Sequence, residues 1–145
     1  MRMFVEVLAL RGFAWGLALS GLAALVGCGG SDSLAIQGDV TLDGQPVGPG
    51  SIAFYPADGS AGAGVSAAIE NGRYEIPAER GPAPGSYRVQ ISWPKKTGKQ
   101  IPSLDPGFTT DQTVEAIPPK YNTDSTLKVS VTPGEPTHDF TLTSK

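Results

Sequence analysis

Residues 85–93 read Gly-Ser-Tyr-Arg-Val-Gln-Ile-Ser-Trp. Tyr87, Val89, Ile91 and Trp93 alternate there with Ser86, Arg88, Gln90 and Ser92. Successive side chains of a strand point to opposite faces, so this run is a β-strand with one face for a core and one for water. The same period recurs on either side in short runs closed by turn residues. Upstream, Ile36, Val40 and Leu42 share a face with Gly38, and Asp43-Gly44 turns the chain toward Val47. Ile52 and Phe54 alternate up to Pro56, and Val65, Ala67 and Ile69 lead through Asn71-Gly72 to Tyr74 and Ile76. Asn-Gly between alternating hydrophobics marks a two-residue type I′ hairpin, whose central residues both need positive φ. Downstream, Leu127, Val129 and Val131 alternate with Thr126, Lys128 and Ser130, and Pro133-Gly134 turns into Phe140 and Leu142. Seven such strands predict an all-β domain over residues 34–145, a seven-stranded Greek-key β-sandwich. The 19 glycines and 13 prolines of the 145-residue chain, with every proline after residue 45, oppose long helices in that region.

Ahead of this domain, Arg2 and Arg11 precede an uncharged run from Gly12 to Gly27 that meets Cys28. A spanning helix needs roughly 20 apolar residues, whereas this run stops short and passes at once into Gly29-Gly30-Ser31-Asp32-Ser33. That is the architecture of a signal peptide, residues 1–27. Leu25-Val26-Gly27-Cys28 resembles a bacterial lipobox. The resemblance implies cleavage after Gly27, lipid on Cys28, and residues 28–33 as the lipidated cysteine with a short tether. Two or three acyl chains hold a protein on a membrane where a single chain does not. The expected location is therefore exported, lipid-anchored to a bacterial membrane in the cell envelope, with Gly29 implying the outer membrane in a Gram-negative cell. Lipidation would occupy the one cysteine, so the mature domain needs no disulfide.

Composition limits the chemistry. Lys and Arg number 11 against 14 Asp and Glu, a formal charge of −3 with no basic stripe, which argues against nucleic acid as a partner. One Cys and one His remove most catalytic and metal constellations, and no catalytic residue, cofactor site or metal site is assigned. Gly62-Ala63-Gly64-Val65-Ser66-Ala67 imitates a dinucleotide-binding string. It lacks room for the helix that must follow, because Asn71-Gly72 already turns the chain, so residues 59–64 read as a loop. His138 and Asp139 project to opposite faces of an extended run and form no local dyad; His138, in step with Phe140 and Leu142, reads as a half-buried strand-end residue. Asp105, Asp111 and Glu115 offer oxygens to calcium but lack the dense spacing of an EF-hand loop.

Residues 94–119 are too long for a plain loop, which in a compact domain rarely exceeds about 12–15 residues. The segment begins basic, with Lys95, Lys96 and Lys99, and turns acidic. Ile101, Leu104, Phe108, Val114 and Ile117 are scattered through it and predict partial folding back on the domain, with a short strand near Thr113–Ile117. Such a segment is either a recognition element, with Trp93, Lys95, Lys96, Phe108 and Tyr121 as candidate contacts, or a solvated connection with a few apolar anchors.

The ordered series Gly38-Asp39-Val40-Thr41-Leu42-Asp43-Gly44-Gln45-Pro46-Val47, Ile52-Ala53-Phe54-Tyr55-Pro56, Asn71-Gly72-Arg73-Tyr74, Gly85-Ser86-Tyr87-Arg88-Val89 and Pro119-Lys120-Tyr121-Asn122 resembles small bacterial lipoproteins with a carboxypeptidase regulatory-like, transthyretin-like (prealbumin-like) domain. The resemblance implies the seven-stranded sandwich and an accessory role without catalytic activity. It names no ligand. The reading is a membrane-anchored envelope lipoprotein whose domain binds or scaffolds an envelope protein. A glycan-binding module using Trp93, Tyr55 and Tyr121 is the alternative. A hydrolase comes third, since a transthyretin-like hydrolase relies on several His and Arg positions and a Tyr-Arg-Gly-Ser ending, whereas this chain ends Thr141-Leu142-Thr143-Ser144-Lys145.

Overall fold

The computed structural model describes residues 32–57 and 63–145. The expected signal peptide, residues 1–27, and Cys28 lie outside the described residues, as do residues 58–62 of the glycine-rich loop. Each of the seven runs with apolar alternation forms a strand: β1 (Ile36–Leu42), then, past the two-residue β2 (Gln45–Pro46), β3 (Gly50–Pro56), β4 (Val65–Ile69), β5 (Arg73–Ile76) and β6 (Gly85–Ser92). Next come β7 (Pro94–Pro102) and β8 (Thr109–Glu115), followed by β9 (Lys128–Val131) and β10 (Phe140–Leu142). Among the described residues the only helical elements are two single 3₁₀ turns, Ala78–Arg80 and Pro119–Tyr121. None is long and apolar enough to cross a membrane.

One four-stranded sheet has the order β4-β3-β6-β9 and is antiparallel throughout. In the other, β1 pairs antiparallel with β5 through its first half and with β2 at its end, while β10 runs parallel along its opposite edge. β7 and β8 pair only with each other. The two four-stranded sheets share one core. Ile36, Val40, Tyr74, Ile76 and Leu142 meet Ile52, Phe54, Ile69, Val89, Ile91 and Val131, all of them fully or almost fully buried. Phe54 joins the layers, its ring 5.8 Å from Tyr74 and 6.3 Å from Phe140, centroid to centroid. On β6 the apolar alternation reads directly as burial, with Tyr87, Val89 and Ile91 inside and Trp93 half-buried beyond them.

The Asn-Gly reading holds in detail. Asn71 and Gly72 have φ of 50° and 81°, and Glu70 and Arg73 exchange both backbone hydrogen bonds at 2.9 Å. A Cβ at Gly72 would lie 2.7 Å from Cβ of Pro46. Gly72→Val therefore combines backbone strain with a clash and is expected to cost about 1–3 kcal/mol or more in denaturant unfolding; wild-type stability would contradict the turn.

The segment 94–119 departs from expectation. It is no loop with one short strand but a long β-hairpin, and of its apolar residues only Ile117 is buried in the core. The physical reason is that every residue of β7 is exposed. A strand acquires a period-2 apolar pattern only where one face is buried, and this ribbon is wet on both.

Candidate functional site

The hairpin, hereafter the arm, is built outward from a rigid root. Glu115 sits at its last position and its carboxylate accepts from Trp93 N at 2.7 Å, from Ser92 Oγ at 2.6 Å and from Ile117 N at 2.9 Å. Ala116 N donates to Trp93 O at 3.0 Å. Trp93 packs against the core and Ile117 lies within it. Partial burial alone would raise the Glu115 pKa, but the hydroxyl of Ser92 and the amides of Ile117, Trp93 and Ala116 outweigh it and hold the carboxyl below its ordinary value. A depressed folded pKa stabilises the root above the unfolded value and loses that contribution as pH falls through the folded one. A carboxyl NMR titration should give Glu115 a midpoint below the ordinary value of about 4.3, and a midpoint at or above it would refute the clamp.

Beyond the root the two faces of the ribbon differ. Lys96 Nζ meets Asp111 at 2.6 Å and Gln100 Nε2 donates to the same carboxylate. Lys96 thereby lowers the Asp111 pKa, and its own rises. The register shifts between Lys96 and Gln100. Residues 97–99 form a bulge there, with Gly98 at φ 79° and Thr97 Oγ1 donating to Gln112 O at 3.2 Å. The opposite face carries Lys95, Ile101, Thr110, Gln112 and Val114 by register. At the tip, Ser103 N donates to Phe108 O at 2.9 Å, and Phe108 N donates to Asp105 O at 3.2 Å. The apolar side chains there are open to water: Leu104 is 103% exposed, Phe108 69% and Ile101 40%. Four of the five exposed large hydrophobics among the described residues belong to the arm.

The arm leaves the domain at the end opposite the N-terminal segment. Leu34 N donates to Pro82 O at 2.8 Å, and Ile36 pairs with Ile76. Gly85, where β6 begins, lies at that same end. The eight residues of β6 then run roughly 26 Å at 3.3 Å each before the arm starts.

The predicted contact residues do not form one patch. Trp93 is half-buried at the root with Lys95 Nζ 3.7 Å from its ring centroid, Lys96 is tied to Asp111 on the polar face, and Phe108 stands at the tip. Tyr121 lies on the 3₁₀ turn after the arm, half-buried, with Lys120 Nζ 4.9 Å from its ring centroid. Arg88 covers Tyr55 in the same way at 5.5 Å. The three rings proposed for sugar stacking each carry a cation over one face. The suggested calcium oxygens are also dispersed, Asp105 at the tip, Asp111 mid-arm and Glu115 at the root. Among the described residues no three His, Cys, Asp or Glu gather as metal ligands. His138 is half-buried and precedes β10; its Nε2 is buried without a hydrogen-bond partner. Sequence reasoning missed the Glu115 clamp and the exposure of Leu104 and Ile101, which it expected to fold back on the domain. The clustering of apolar residues near Pro102 and Pro106 was the available signal.

Fold and arm define a class: a small all-β domain of several sheets with a projecting β-hairpin. No protein-family model matches the chain, and no curated protein and no solved structure matches it.

Proposed function

We propose that this chain is an exported, lipid-anchored envelope protein whose domain has no chemistry of its own and binds or scaffolds an envelope protein through the arm. The anchor rests on Leu25-Val26-Gly27-Cys28 behind an uncharged run. Two antiparallel-rich sheets around one core support the Greek-key, transthyretin-like sandwich.

The observation that carries the binding reading is the exposure of Leu104, Phe108 and Ile101 together on a ribbon whose root is clamped. Contiguous apolar surface on a soluble domain marks an interaction site. The arm leaves opposite the tether, so anchoring and contact do not compete for the same surface. The glycan alternative loses ground because Trp93, Tyr55 and Tyr121 offer no open platform of stacked rings.

Two measurements test this. A photoreactive side chain at Phe108 should give a specific adduct in cells, and one at Ser130 on the outer sheet face should not. Replacing Lys96–Val114 by a six-residue Gly/Ser link, with Glu115 kept, should remove the partner while changing stability by only about 1 kcal/mol, because loop closure depends weakly on length. An adduct at Ser130 alone, or unfolding on replacement, would overturn the reading. Mass spectrometry should find lipid on Cys28, and a free thiol there would remove the anchor.

A further inference from the structure

We propose that β8 is a docking edge for a second copy of this chain, which adds its own β8 antiparallel and joins two arms into one four-stranded sheet. The inference rests on the arm as contact element and names what it contacts. A free two-stranded ribbon is marginal in water, and further strands with an apolar face stabilise it.

The two edges of the arm are not equivalent. β7 carries Pro94 and Pro102 at its ends, the bulge at 97–99, and Lys95, Lys96 and Lys99. These are the devices by which an edge strand refuses another. β8 reads Thr109-Thr110-Asp111-Gln112-Thr113-Val114-Glu115, without proline, glycine or lysine. Threonine and valine favour strands.

Two bonds fix the phase of β8. Ala116 N donates to Trp93 O and Ser103 N donates to Phe108 O. Even-numbered residues therefore turn their N–H and C=O toward β7, while Thr109, Asp111, Thr113 and Glu115 turn theirs outward. Symmetric pairing must set outward residues against outward residues. With the two-fold axis on Gln112, Asp111 faces Thr113 of the second copy and Thr109 faces Glu115, so the whole strand pairs and no carboxylate opposes another. Moving the axis to Asp111 sets that residue against itself, and moving it to Thr113 sets Asp111 against Glu115. Like charges directly opposite destabilise a pair, so charge selects the Gln112 register. In that register Thr110 lies beside Val114 of the second copy, and Phe108 falls opposite its Ala116, next to the Trp93 root. The exposed ring at the tip thereby gains a cover.

The test uses the full-length chain with Cys28 kept, so that the anchor stays in place and the lipid occupies the one native sulfur. Gln112→Cys places a thiol on the axis in a non-hydrogen-bonded pair, where Cα atoms lie about 4.5 Å apart and a disulfide can close. Oxidation of membranes from cells producing two differently tagged copies should give a mixed disulfide dimer. Lys99→Cys, on the guarded edge, should give none. Thr110→Cys and Val114→Cys should each fail to link alone and should link when produced together. Adding Thr113→Asp to Gln112→Cys should abolish the dimer, since it opposes Asp111 of the second copy twice while facing Lys96 within its own arm. No dimer from Gln112→Cys, equal linkage from Lys99→Cys, or a dimer that survives Thr113→Asp would overturn the proposal. A Phe108 adduct to a different protein without Gln112 linkage would leave the arm as contact element and remove only self-pairing.

Discussion

Phe54→Ala is expected to destabilise the domain by about 3–5 kcal/mol, the usual cost of truncating a buried aromatic. Phe54 is fully buried and is the ring through which the β3 layer meets Tyr74 on β5 and Phe140 on β10. Removing it opens a cavity between the sheets, bordered by two aromatic rings that cannot both collapse into it. Domains of this size hold about 5–15 kcal/mol in total, so the loss is a large share. Denaturant unfolding should show a strongly lowered midpoint, with Phe54→Leu intermediate. A change below about 1 kcal/mol would mean that the aromatic trio does not join the layers.

Gly38→Ala is expected to match or exceed that effect, at about 3 kcal/mol or more, because overpacking here meets backbone instead of a side chain. A Cβ on Gly38 would stand 1.9 Å from the carbonyl oxygen of His138. That carbonyl cannot easily retreat. His138 N donates to Gln37 O and Gln37 N to Pro136 O, both at 2.8 Å. Asp139 Oδ1 accepts from Asp39 N at 2.8 Å, and Tyr74 OH donates to His138 O at 2.8 Å. The added methyl must pry the last strand from the first, so amide exchange at Phe140–Leu142 should accelerate more than at Val89–Ile91. Uniform exchange with an unchanged melting temperature would contradict the close approach.

What the residues disclosed in advance follows from where burial and turn geometry constrain them. Tyr87, Val89 and Ile91 alternate because one face of β6 must be dry, and Asn71-Gly72 is dictated by positive φ. These constraints leave marks in a single sequence. The arm leaves none of that kind: Lys95, Lys96, Thr97 and Lys99 satisfy a ribbon whose two faces are both solvated, and only its length and its scattered apolar residues set it apart. Phe108, expected as a contact, stands exposed, whereas Trp93 and Tyr121 pack partly against the core. Glu115 reads in the sequence as a cation ligand, because two of its partners are backbone amides, which no side-chain pattern betrays. The tight passage at Gly38 depends on a strand a hundred residues later and was equally invisible.

The opposite placement of arm and N-terminal segment also has a mechanical meaning. A pull between residue 34 and the arm loads β1 from its first residue and β6 from its last. Strands pulled along their length share the load across many backbone hydrogen bonds at once, whereas strands peeled from one end break them singly. β1 is held on one edge by β5 and on the other by the parallel β10, and the arm is riveted to Ser92 and Trp93 through Glu115. Because β1 and β6 belong to different sheets, such a pull passes from one to the other through the shared core and slides the two sheets past each other along their strands, and resistance to it is a matter of how slowly the domain unfolds under force rather than of its equilibrium stability.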